Sequence, residues 1–143
     1  DIAHSRVALS NIFGLQTMGA KVSICGPNTF IPRDIEKLGV KVYNTIDEAI
    51  KESDVLNILR IQLERNAGGG LPSLREYHNY YGITKERLDK LNKEVLILHP
   101  GPINRGVEIS SEVADGPYQV ILQQVTNGVA IRMAVLYLLG TMN

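Results

Sequence analysis

The feature that most constrains the fold is an alternation of strand-length apolar segments with segments whose apolar residues recur every three or four positions. Four apolar segments are visible, at residues 21–25, 40–43, 55–59 and 95–98. Such alternation is typical of a parallel sheet with crossover helices. The sequence therefore predicts an α/β fold of the doubly wound, Rossmann-like kind, with a mainly parallel sheet, flanking helices and a first strand truncated to Asp1 and Ile2.

Apolar periodicity and capping residues indicate the helices. They are predicted over residues 6–18, 32–38, 46–53, 74–80, 85–91 and 118–139. Thr45 and Glu48 form a capping box for the third of these, and Thr84 is expected to cap the fifth. Gly128 indicates a break or kink within the last helix.

Composition limits the class of protein. The 143 residues suit one domain, and 44% apolar with 21% charged residues is an ordinary globular composition. Since 15 basic and 15 acidic side chains cancel, no nucleic-acid or membrane-surface partner is indicated. No apolar run approaches the ~20 residues that span a bilayer, which predicts a soluble, cytoplasmic protein. Because Asp1 begins the sequence without a methionine, directly ahead of a helical pattern, we expect the chain to be part of a longer one.

Residues that commonly carry metal or cofactor chemistry are few and scattered. The histidines His4, His78 and His99 and the lone Cys25 show no zinc-site spacing, and Cys25 fits an apolar strand as a small hydrophobe. The glycine run at residues 68–70 lacks the pattern of a phosphate-binding loop and is interpreted as a mobile loop. We therefore expect no metal and no cofactor.

Candidate ligand residues follow the predicted strands, because doubly wound sheets bind ligands outside the carboxyl ends of their strands. Arg6 stands at the start of the first helix, where the helix dipole disfavours a cation by roughly 0.3–1 kcal/mol, and such a position suits an anion receptor. Arg60 ends an apolar strand, with Gln62 one alternation further on. Two arginines from different loops suit a substrate with two carboxylates. A solvated arginine at a helix boundary and an ordinary charged strand end remain the alternatives.

The turn His99-Pro100-Gly101-Pro102 follows the last predicted strand. Its two prolines lack amide donors, so the exposed main chain offers carbonyl acceptors to a ligand that carries an amino group. A rigid turn that only holds residues 103–105 in place is the alternative interpretation.

Four segments closely resemble the second, aspartate-binding domain of bacterial aspartate carbamoyltransferases. Each segment is weak evidence alone, but the four occur in the family's order and spacing and span essentially the whole chain. They are His4 to Val7, Leu59 to Arg65, His99 to Ile109 and Gln124 to Leu136.

The resemblance implies roles for the strand-end residues. Arg6 and Arg60 would bind the two carboxylates of L-aspartate, with Gln62 in support. Gly101 and Pro102 would bind carbamoyl phosphate, their turn offering carbonyls to the substrates' amino groups. The resemblance also implies a cis Gly101-Pro102 bond, and a glycine at 101 is expected to matter little if only its carbonyl is used.

Two further roles follow from the same resemblance. Arg65 and the glycine run at 68–70 would belong to a segment that closes over the substrate, and Arg105 would help to hold the site. No residue of this chain is expected to act as a catalytic nucleophile, because the aspartate amine itself attacks the carbamoyl carbon and phosphate leaves. Orientation and charge stabilisation would supply the catalysis.

The resemblance also implies partners. The family's phosphate-gripping Ser-Thr-Arg-Thr-Arg motif lies in its first domain and is absent here, so this chain alone is expected to be inactive without an N-terminal carbamoyl-phosphate domain. The full-length enzyme would be a homotrimer, and whether regulatory or dihydroorotase subunits join it stays open. The last helix, with an apolar stripe over residues 125–139, would pack on the first domain; without that domain we expect it to pair with another copy or to be disordered.

Three other functions compete. An ornithine carbamoyltransferase would carry a cysteine in a His-Cys-Leu-Pro turn, where this chain has Pro100, and two arginines have the wrong charge for ornithine. A nucleotide-binding Rossmann domain needs a glycine-rich turn after its first strand, and residues 2–7 contain no glycine. A binding or folding module without catalytic function is the third.

Overall fold

The computed structural model describes residues 1–62 and 73–141. Six α-helices and four β-strands occur in this part of the chain, together with two 3-10 helices, at Asn28–Phe30 and Ile35–Leu38. In chain order the helices and strands are α1 (Arg6–Thr17), β1 (Ser23–Cys25), β2 (Lys41–Tyr43), α2 (Ile46–Glu52), β3 (Val55–Asn57), α3 (Leu74–Tyr81), α4 (Lys85–Asp89), β4 (Leu96–Leu98), α5 (Ser111–Ala114) and α6 (Ile121–Thr141).

The strands pair in parallel, which confirms the predicted α/β class. Strand β1 pairs with β2, with Ile24 opposite Val42, and β3 pairs with β4, with Leu56 opposite Ile97. Among the described residues these hydrogen-bonded ladders form two separate pairs, where the sequence pattern predicted one sheet. Each strand has three residues, because the ladders cover only part of each apolar segment.

The expected strand stub at the start of the chain is not a strand. Its backbone bonds instead to the first 3-10 helix, where the Ala3 amide donates to the Phe30 carbonyl at 2.9 Å. Residues 32–38 likewise differ from prediction: only Ile35–Leu38 is helical, and as a 3-10 helix. Gly39, with φ +77°, ends it as predicted, because glycine adopts the left-handed conformation at little cost.

The last helix begins and ends a few residues later than predicted and is more regular. It begins at Ile121 and continues through Gly128 to Thr141 without a break. Glycine weakens a helix interior by about 1 kcal/mol but keeps its amide donor, so the hydrogen-bond ladder can continue through it. Of its described side chains only Ile121 is buried. No helix in the described ranges is both long and apolar enough to cross a membrane.

Two apolar clusters form the core. One lies beneath α1 and the first strand pair and contains Ile12, Ile24, Ile35 and Val40. The larger one surrounds the second strand pair and contains Ile50, Ile58, Ile83, Leu88, Ile97, Ile109, Val113, Ala114 and Ile121. Each buried side chain of this size stabilises the fold by roughly 1.5–3 kcal/mol, so the larger cluster holds the ends of β3 and β4 in place.

Cys25 ends strand β1 and is partly buried. Burial, together with the nearby carboxylates of Glu48 and Asp47, raises the pKa of its thiol to about 11. A thiol with so high a pKa is a poor nucleophile at neutral pH, which agrees with its interpretation as a small hydrophobe.

Candidate functional site

Three segments that lie far apart in the sequence meet at the carboxyl ends of β3 and β4. The Gln62 side-chain amide donates to the His4 carbonyl at 3.2 Å. The Asn104 side-chain amide donates to the Ile61 carbonyl at 3.3 Å. Because β3 and β4 are adjacent and parallel, the residues that follow them leave the sheet at the same edge. The three predicted strand-end segments are therefore neighbours in the fold.

Arg6 is the first residue of α1, as predicted, and its side chain is exposed. The preceding Ser5 is buried, and its hydroxyl caps the helix by accepting from the Ala8 amide at 3.2 Å. No acidic side chain lies in the first turn. The positive end of the helix dipole and the Arg6 guanidinium thus lie together without an acidic residue of that turn to neutralise them.

Arg60 and Gln62 follow β3 and are partly buried. The bond from Gln62 to His4 ties the end of β3 to the residues just before Arg6, so the two arginines come from adjoining segments. The convergence of their guanidiniums on one ligand stays a prediction. Gln62 was predicted to support ligand binding. In this structure its side-chain amide hydrogen-bonds to the backbone carbonyl of His4.

Hydrogen bonds of the buried His99 hold the His99-Pro100-Gly101-Pro102 turn in place. His99 is fully buried, its amide donates to the Gln124 side chain at 2.9 Å, and its ring Nδ1 lies 2.8 Å from the Gly101 amide. The Gly101-Pro102 peptide bond is cis, as the resemblance implied. Gly101 and Pro102 themselves are exposed.

Glycine at position 101 matters more than predicted. Its φ is +66°, in the left-handed region that side chains rarely adopt. The position of a Cβ atom there is open, with no atom within 4 Å. The requirement for glycine therefore comes from the backbone conformation alone, and the expectation that the residue type is unimportant was wrong.

Glu108 is a residue of this region whose part the sequence analysis missed. Only 1% of it is exposed, and its Oε1 accepts from the Asn104 amide at 2.6 Å and lies 3.2 Å from His99 Nε2. Its Oε2 has no hydrogen-bond partner within residues 1–62 and 73–141. The available signal was a carboxylate between the apolar Val107 and Ile109, since a buried carboxylate requires a partner.

Arg105 was expected to help hold the site, and that role stays a prediction. Its guanidinium makes a two-pronged pair with Asp115, at 2.7 and 2.8 Å. The side-chain hydrogen bond from Arg105 lowers the pKa of Asp115, and both groups are exposed. An exposed pair of this kind contributes little to stability. Arg65 and the glycine run at 68–70 lie outside the described residues.

An open cavity of about 360 Å³ lies behind the site, between β4 and the start of α6. Leu96, Leu98 and Val120 make its wall largely apolar, and Gln124 belongs to both this wall and the contact with His99. The described residues contain no group of three or more histidine, cysteine or acidic side chains arranged to hold a metal ion.

Parallel strands, flanking helices and polar strand ends gathered at one edge define an α/β ligand-binding domain of the doubly wound class. The family model "Aspartate/ornithine carbamoyltransferase, Asp/Orn binding domain" matches residues 1–139. The chain therefore belongs to the aspartate/ornithine carbamoyltransferase family, through its aspartate/ornithine-binding domain.

Curated relatives with high sequence identity to this chain belong to the aspartate branch of that family. The chain is 63% identical over 140 residues to a protein of Halothermothrix orenii and to one of Cytophaga hutchinsonii, both named aspartate carbamoyltransferase catalytic subunit. These alignments cover 98% of this chain but 45% and 46% of the relatives. The chain thus spans slightly less than half the length of the curated relatives it matches.

Solved structures agree on the fold. Ornithine carbamoyltransferase from Pyrococcus furiosus matches with a TM-score of 0.76 and 20% identity, over 95% of this chain and 47% of that one. Aspartate transcarbamoylase from Trypanosoma cruzi, in complex with carbamoyl aspartate and phosphate, matches with a TM-score of 0.63 and 26% identity, over 81% of this chain and 39% of that one. At 20% identity the first likeness concerns the fold alone.

Proposed function

We propose that these residues form the aspartate-binding half of an aspartate carbamoyltransferase. The full-length enzyme transfers the carbamoyl group of carbamoyl phosphate to L-aspartate, giving N-carbamoyl-L-aspartate and phosphate in de novo pyrimidine biosynthesis. The observation that carries the proposal is 63% identity, across 98% of this chain, to catalytic subunits of that name. Those relatives are named for aspartate, which supports aspartate over ornithine as the substrate.

Arg6, Arg60 and Gln62 form the aspartate site of this proposal. Arginine binds carboxylates through two parallel hydrogen bonds, so two guanidiniums suit the two carboxylates of aspartate. The bond between Gln62 and His4 supports this arrangement, because it holds the end of β3 against the start of α1. The free amides at the start of α1 add positive potential.

Gly101 and Pro102 form the part of the carbamoyl-phosphate site that this chain supplies. Their carbonyls would accept hydrogen bonds from the carbamoyl amino group, and the proline contributes no competing donor. The aspartate amine attacks the carbamoyl carbon, the bond from that carbon to the phosphate oxygen breaks, and phosphate leaves. Holding the two substrates in this geometry supplies roughly 7–11 kcal/mol of the barrier reduction, which explains how such a site works without a protein nucleophile.

The residues that bind the phosphate group would come from an N-terminal carbamoyl-phosphate domain. The share of the relatives that this chain covers, 45–46%, leaves room for such a domain. The exposed apolar side chains of α6 support a covering partner.

We further propose a homotrimeric full-length enzyme in the cytoplasm, an environment suited to a chain with a single cysteine. Regulatory and dihydroorotase subunits are possible additions that a pull-down with the purified trimer would reveal.

Replacing each candidate arginine tests the aspartate site. In the full-length catalytic chain, we expect Arg6→Ala and Arg60→Ala each to raise the KM for L-aspartate at least about tenfold, because a hydrogen bond to a charged group contributes roughly 1.5–3 kcal/mol. Steady-state assays with varied L-aspartate and saturating carbamoyl phosphate measure this effect.

The matched control is Lys37→Ala. Lys37 is an exposed cation of the second 3-10 helix, paired with Asp34, and it belongs to none of the three strand-end segments. Its loss removes the same charge and should leave the KM for aspartate unchanged. Wild-type turnover of ornithine in preference to aspartate, or an unchanged KM in both arginine variants, would contradict the proposed function.

A further inference from the structure

Glu108 occupies a position that packing alone would give to an apolar residue. Only 1% of it is exposed, and the next residue, Ile109, is fully buried in the larger core cluster. Removing a carboxylate from water costs several kcal/mol unless hydrogen bonds offset the loss. Such a residue in a core indicates that its hydrogen bonds serve a purpose other than stability.

The first of those hydrogen bonds determines the state of His99. Its ring Nδ1 lies 2.8 Å from the Gly101 amide, which can only donate, so Nδ1 is the acceptor and carries no hydrogen. The hydrogen of the neutral ring therefore sits on Nε2, which donates to Glu108 Oε1 at 3.2 Å. Glu108 thus selects the one neutral form of His99 that can hold the Gly101 amide.

The second hydrogen bond of Glu108 links it, through Asn104, to the segment that follows β3. Glu108 Oε1 also accepts from the Asn104 amide at 2.6 Å, and the Asn104 side chain donates to the Ile61 carbonyl at 3.3 Å. Ile61 lies between Arg60 and Gln62. One buried carboxylate oxygen therefore connects the turn at Gly101 to the segment that follows β3.

We propose that Glu108 is a positioning residue for carbamoyl phosphate, acting through His99 to orient the carbonyls of the Gly101-Pro102 turn. This inference rests on the proposed function, because it assigns that turn to the carbamoyl-phosphate site. Without the carboxylate, His99 is free to carry its hydrogen on Nδ1. That form repels the Gly101 amide, and the turn loses the contact that sets its orientation.

Two substitutions at this position separate positioning from packing. Glu108→Gln keeps an oxygen acceptor of the same shape, whereas Glu108→Leu keeps the buried volume and loses the acceptor. In the full-length catalytic chain, we expect Glu108→Leu to raise the KM for carbamoyl phosphate at least about tenfold, and Glu108→Gln to stay within about threefold of wild type. Val113→Ala, a cavity-forming change in the same core, should lower the unfolding temperature without changing this KM.

A measurement on the wild-type protein keeps the test independent of folding in the variants. Selective ¹⁵N labelling of histidine reports which ring nitrogen of His99 carries hydrogen, and we expect Nε2. Hydrogen on Nδ1 would overturn the inference. So would a KM for carbamoyl phosphate that Glu108→Leu leaves unchanged in an active enzyme, with the proposed function intact. Absence of carbamoyl transfer by the wild-type full-length catalytic chain would overturn both.

Discussion

At the scale of single residues, backbone conformation decides what a position tolerates. Gly101 and Gly14 both have open space where a Cβ atom would stand, with no atom within 4 Å. They differ in φ, which is +66° at Gly101, while Gly14 lies inside α1. A methyl group is strained in the left-handed region, and in a helix it reduces the entropy lost on folding.

Opposite effects on stability are therefore expected from the same substitution at these two glycines. Gly101→Ala should lower the free energy of unfolding by about 1–2 kcal/mol. Gly14→Ala should raise it by up to about 1 kcal/mol, since alanine is the better helix former. Urea unfolding followed by circular dichroism would measure both. A Gly101→Ala protein as stable as wild type would contradict the conformation described for the turn.

At the scale of elements, the helices begin where small polar residues cap them. Ser5, Thr45, Ser73 and Ser110 each accept a hydrogen bond from an amide three residues on, at 3.0–3.4 Å. Thr84 was predicted to do the same for α4, and that prediction was wrong because its side chain makes no capping bond to the helix. The pKa of the Glu86 carboxylate is lowered, first by a hydrogen bond from its own backbone amide and then by one from the Thr84 hydroxyl.

Two threonines thus form a matched test of capping. Thr45→Ala should lower the free energy of unfolding by about 1 kcal/mol, because an amide at the start of α2 loses its acceptor. Thr84→Ala leaves the amides of α4 as they are and should cost clearly less. Chemical denaturation of both variants provides the comparison, and equal losses would mean that α4 depends on Thr84 after all.

At the scale of the whole molecule, α6 contributes little to the core for its length, because only Ile121 of its described side chains is buried. Leu122 is 79% exposed and Leu136 is 72% exposed, and the helix carries further exposed apolar residues between them. Within the described part of the chain, this is an apolar surface much larger than scattered single residues would make. It fits the proposed covering domain, which the present 143 residues do not include.

The 143-residue chain on its own should reveal this surface. We expect it either to self-associate through α6 or to show rapid amide exchange across residues 125–139. Leu136→Glu should weaken association, whereas Met18→Ser, which changes an apolar residue 84% exposed at the end of α1, should not. Sedimentation at several concentrations distinguishes these outcomes. A strictly monomeric chain with protected α6 amides would contradict the role given to the helix.

Local chemistry was enough to determine the class of fold and most of its elements. The alternation of apolar segments predicted the α/β class, and Thr45 predicted the start of α2, because apolar periodicity and capping are both visible in residues near one another in sequence. The segments of Arg60 and Gly101 could be placed at one edge because parallel strands share a direction. The segment of Arg6 lies beside them through the bond from Gln62 to His4, although the strand predicted before it did not form.

Only the tertiary structure decided how those segments hold one another. The bond from Asn104 to Ile61 joins residues 43 apart, and the bond from Gln62 to His4 joins residues 58 apart. Such contacts depend on the register of β3 against β4, which no local pattern specifies. Glu108 shows the consequence: its sequence neighbours do not reveal that it lies beside His99, because that proximity exists only once the loop between them has folded back on the sheet.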